Sequence, residues 1–75
     1  MNNYRRRRIS EIISRLNLCS IELEDIRDAE DESRENIPEN LQNGEKYLYS
    51  EKCSDALSNA IDYLSDAIDE LSDIV

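Results

Sequence analysis

Apolar residues recur along this chain in steps of three and four from Ile9 to Val75, with no alternation suited to strands. In the first half, Ile9, Ile12, Leu16, Cys19, Leu23 and Ile26 trace an a/d heptad seam on a helix predicted over about residues 3–35. Ile13 widens that seam, Cys19 reads as a small core residue on it, and Asn2 or Asn3 is the expected N-cap. Leu18 and Ile21 fall on a different, outer face. The second half repeats every seven residues from Ser58, as SNAIDYL, SDAIDEL and SDIV. Ile61, Ile68 and Val75 occupy a, and Leu57, Leu64 and Leu71 occupy d. Ala60 and Ala67 sit at g, Ser58, Ser65 and Ser72 at e, and aspartates fill the outer b and f positions. Small residues beside a seam let a partner helix approach closely.

One proline and one glycine punctuate the sequence, Pro38 and Gly44, within the segment RENIPENLQNGE. The pattern therefore predicts a single all-α domain over residues 1–75, an antiparallel, coiled-coil-like two-helix hairpin. Its linker is residues 36–43 and its second helix about residues 44–74, with Asn43 the expected cap. A turn centred near Asn40 pairs residues whose numbers sum to roughly 80, because both helices rise equally. Leu16 then faces Leu64, Leu23 faces Leu57 and Ile9 faces Leu71. A lone hairpin leaves half of each seam wet, so self-association into a helical bundle, as a dimer or tetramer, is expected; the outer Leu18 and Ile21 add to that case.

Composition narrows the chemistry. The chain has no histidine, which removes the commonest general base and metal ligand. Cys19 and Cys53 have the spacing of neither a CxxC motif nor a zinc site, and no glycine loop suits a phosphate. The serines at e have no basic partner to activate them, so no active site, metal or cofactor is expected. No apolar run approaches a membrane span and no signal peptide follows the arginines, so the chain reads as cytosolic with reduced thiols.

Charge is unevenly placed on a chain of net charge −9. Residues 1–16 carry five arginines against Glu11, a net +4, whereas residues 22–39 carry nine acids against Arg27 and Arg34. The run Arg5–Arg8 has two readings. In the predicted register it lies beside Ser72–Val75, where it balances Asp66, Asp69, Glu70 and Asp73 at a helix end that disfavours negative charge. Alternatively, four consecutive arginines spread around the helix exceed what balancing requires. With Tyr4 to stack on a base, Arg5, Arg6, Arg7 and Arg8 then form a site for a nucleotide or another small polyanion. Duplex DNA is disfavoured by the negative charge elsewhere. The acidic stretch ELEDIRDAEDESRE reads either as a solvated helix face or as a docking surface carrying Glu30, Asp31, Glu32 and Glu35.

The linker Asn36-Ile37-Pro38-Glu39-Asn40-Leu41-Gln42, a basic N-terminus, an acidic first helix and an Ala-Ile-Asp-x-Leu second helix resemble a family of small uncharacterised proteins carried by phages and mobile elements of Gram-positive bacteria. That family often continues with Ser-Glu-Arg-Gly after the linker, where this chain has Gly44, Glu45, Lys46 and Tyr47. The resemblance implies a mobile-element origin, a location in the cytosol of a bacterial host and, by analogy of genomic context, inhibition of host defence. The expectation is thus a non-catalytic counter-defence protein capturing an anionic ligand through Tyr4–Arg8. The alternatives are an acidic, nucleic-acid-mimicking inhibitor that docks on a host defence enzyme, and a structural bundle module without ligand.

Overall fold

The computed structural model describes all residues, 1–75. Two helices, α1 (Asn3–Glu35) and α2 (Glu45–Ser72), pack side by side as a hairpin measuring 59 × 15 × 13 Å. There are no strands. Neither helix is long and apolar enough to cross a membrane.

The ends follow from local chemistry. Asn2 caps α1, its side-chain oxygen accepting from the Arg5 backbone N–H at 2.8 Å. Pro38 cannot extend α1, and the helix ends at the C-cap Asn36, whose N–H donates to the Ser33 carbonyl. A 3-10 turn, Glu39–Leu41, follows, closed by the Leu41 N–H on the Pro38 carbonyl at 2.8 Å. The Gln42 side chain donates back to the Ile37 carbonyl at 3.4 Å. Gly44, not Asn43, caps α2, and it does so without a side-chain bond. The reason is steric. The Gly44 N–H donates to the Leu41 carbonyl, and a Cβ at Gly44 would sit 3.1 Å from that oxygen.

Except for Val75, which lies past the end of α2 and is exposed, the seam of α2 is the predicted one: Leu57, Ile61, Leu64, Ile68 and Leu71 all turn toward α1, and Ile61, 8% exposed, is the one buried apolar side chain. Extending the heptad back from Leu57 reaches Ser54 and Ser50, and both are buried. The seam of α1 is rotated from the prediction. Ile9, Ile12, Leu16 and Leu23 are partly buried as expected, but Cys19 is exposed and Ile26 is 56% exposed. In their place the contact line runs through Ile13, Ser20, Arg27, Glu30 and Arg34, still in steps of three and four. The register is also shifted. Arg34 bonds Ser50 and Ser54, and Asp31 accepts from Ser54. The predicted pairing would have set Arg34 beside Lys46, one helical turn earlier. The 3-10 turn and the residues around it take up that extra turn of chain, moving the centre of the hairpin from Asn40 toward Gln42.

With three buried residues in 75, removing the central apolar contact should be felt strongly. Ile61→Ala is expected to lower stability by about 2–5 kcal/mol. Leu18→Ala, on a side chain 62% exposed, is expected to change it by less than about 0.5 kcal/mol. Urea melts followed by circular dichroism at one chain concentration check both.

Candidate functional site

At the open end of the hairpin, α1 is five residues longer than α2 (33 against 28). Carrying the Arg34–Ser50 offset along both helices at equal rise sets Ile9 level with Val75. Arg5, Arg6, Arg7 and Arg8 therefore project past the end of α2. All four are exposed, and neither of the two ion pairs in the molecule involves them. The predicted balancing of Asp66, Asp69, Glu70 and Asp73 by direct pairing does not form, the register having carried the arginines past the end of α2. Tyr4, 61% exposed, instead takes a hydrogen bond on its hydroxyl from Arg8 Nη1 at 3.1 Å. The Arg8 guanidinium carbon also sits 5.9 Å from the Tyr4 ring centroid. Tyr4–Arg8 thus form one cationic, aromatic patch on the first turns of α1, where the remaining free backbone N–H groups and the helix dipole add positive potential.

A second polar cluster lies toward the turn, between the helices. Arg34 Nη1 donates to the Ser50 carbonyl at 3.2 Å, to Ser50 Oγ at 3.3 Å and to Ser54 Oγ at 2.8 Å. Arg34 Nη2 donates to Asp31 Oδ1 at 2.9 Å, and Ser54 Oγ donates to the same oxygen at 2.6 Å. The bond from Ser54, then that from Arg34, holds the Asp31 carboxyl below its usual value, and the bond to Asp31 raises the Arg34 guanidinium further. No buried polar side-chain atom in the molecule lacks a partner. Ser50 and Ser54 escaped the sequence reading, although their heptad positions opposite Arg34 were the available signal.

The proposed protein-docking residues divide. Leu18 and Ile21 are exposed on the outer face of α1, as are Glu32 and Glu35. Glu30 and Asp31 are half-buried, and Asp31 is engaged by Arg34 and Ser54. A cavity of about 500 Å³ opens at the turn among Ile37, Pro38, Leu41, Gly44 and Tyr47. Cys19 and Cys53 are free thiols, and the Cys53 thiol next to Tyr49 pushes that phenol above its usual value. No group of three or more acidic or thiol side chains is arranged to hold a metal ion. Compared with protein families, curated proteins and solved structures, the chain has no significant match.

The Asp31 contact gives stability a sign in acid. A carboxyl whose folded value is depressed contributes fully above its ordinary value of 3.8 and loses that contribution as pH falls through the depressed one. Wild type should therefore exceed Asp31→Asn in urea midpoint at neutral pH, and the gap should close as pH falls toward about 2. A gap independent of pH would assign the effect to shape alone.

Proposed function

We propose that this chain is a non-catalytic binding protein whose Tyr4–Arg8 patch takes a small, phosphate-bearing anion, a nucleotide being the class that uses all of it. The observation that supports this most is the overhang: Arg5–Arg8 extend past α2, exposed and without a carboxylate partner. Guanidinium forks bind phosphate oxygens in pairs, and a ring already beside Arg8 offers a surface for a base. The acidic-docking alternative is the weaker one, since Asp31 already serves the hairpin and Glu30 is half-buried. A role for this binding in counter-defence rests on the family resemblance of the linker and flanking helices.

Calorimetry tests the reading with nucleoside mono-, di- and triphosphates, cyclic dinucleotides and inorganic pyrophosphate. Binding should strengthen with phosphate number, weaken as salt rises, and fall at least tenfold when Arg5–Arg8 are all replaced by Ala. Tyr4→Ala should weaken nucleotides while leaving pyrophosphate unchanged. No heat from any of these ligands, or binding indifferent to the arginines, would sink the proposal.

A further inference from the structure

The rotated seam of α1 leaves a third apolar column on each helix. With a at Ile13, Ser20, Arg27 and Arg34, the g column of α1 is Ile12, Cys19, Ile26 and Ser33. With a at Ser54, Ile61 and Ile68, the g column of α2 is Cys53, Ala60, Ala67 and Ile74. In an antiparallel pair the two g columns flank the same side of the seam. Neither g column carries a charge, from Ile12 to Ser33 or from Cys53 to Ile74. The opposite flank is wholly polar, with Asn17, Glu24 and Asp31 facing Glu51, Ser58 and Ser65. Apolar residues at a, d and a third position are the pattern of helices in a bundle core, whereas a strict two-column seam is that of a two-stranded coil. A shallow groove of about 550 Å³ already opens on the apolar flank, lined by Ile26, Ala29, Ser33, Cys53 and Leu57, with Glu30 its one charged residue.

We propose that a second copy of this chain covers that flank, giving a four-helix bundle with both turns at one end. The area matches. A compact monomer of 8.7 kDa exposes about 4,700 Å². The hairpin exposes 5912 Å², an excess of about 1,200 Å². A stable protein interface covers about 800 Å² on each partner. The charge matches too. A chain of net charge −9 repels its own copy least where charge is sparse, and the two g columns of this flank carry none. A two-fold axis along the hairpin sets α1 of each copy against α2 of the other. At the observed offset, Arg15 of one copy then lies level with Glu70 of the second copy, on the rim of the contact. The same axis brings the two Tyr4–Arg8 patches to one end of the bundle, although the dimer does not depend on any ligand there.

Sedimentation of the full chain tests this between about 1 and 100 µM. The expected result is a dimer whose dissociation constant rises at least tenfold in Ile26→Asp with Ala60→Asp. Asn17→Asp with Ser65→Asp adds the same charge to the polar flank and should leave the dimer intact. Ile26 is 56% exposed in the single hairpin, so the loss is read at the interface. Glu70→Arg should weaken the dimer several-fold, and adding Arg15→Glu should restore it. A helical monomer at about 100 µM, or a dimer indifferent to the Ile26 and Ala60 changes, would overturn the proposal. Glu70→Arg without effect would overturn the shared-end arrangement.

Discussion

Where each residue of α1 lands along α2 depends on Arg34, whose guanidinium bridges Ser50, Ser54 and Asp31 at the turn end of the interface. An apolar seam is permissive about register, because Ile and Leu side chains slide past one another by a turn with modest loss. A planar fork with five donors is not permissive, because a shift of one turn would leave its partners out of reach and its charge half-buried. The same bonds fix the rotation of α1. Placing Arg34 and Arg27 toward α2 carries Ile13 and Ser20 in with them and carries Cys19 and Ile26 out.

Two consequences follow from that one contact. The register moves Arg5–Arg8 off the acidic end of α2 and into water, and the rotation leaves the more apolar flank of α1 uncovered. A free cationic patch, more than 20 residues from Arg34 in sequence, and an unpartnered apolar flank beside it are thus products of the same polar interaction. Neither is a local property of the residues that display it.

The helices and the turn were legible because the signals are local: one proline, one glycine and an Asn cap amid uninterrupted 3.6-residue periodicity. The seam of α2 was legible because its repeat leaves no choice of face. The seam of α1 was not, since Cys19 and Ile26 outrank Ser20 and Arg27 in hydrophobicity while Ile12 and Ile13 tie, and hydrophobicity alone decides a periodicity reading. What overrode it was a hydrogen-bonded cluster whose members lie up to 23 residues apart, a pairing no window along the chain contains. The Tyr4–Arg8 patch was visible as composition. Whether it met the acids of α2 depended on a register that the 3-10 turn shifts by one turn.

The charge pattern still requires an explanation once direct pairing at the open end is absent. α1 begins without an acid in its first turn and α2 ends without a base in its last, so each terminus opposes its own helix dipole. Antiparallel packing sets the negative end of α2 close to the arginines of α1, and the positive end of α2 close to the acids at the end of α1. Each misplaced cluster is therefore compensated by the field of the neighbouring helix, which salt screens over roughly 8 Å at physiological ionic strength. Compensation of that kind stabilises the hairpin without fixing any side chain in place. The arginines can thus contribute to the antiparallel arrangement and remain open to a denser anion, since a bidentate phosphate at contact distance outcompetes a diffuse field from carboxylates beyond it.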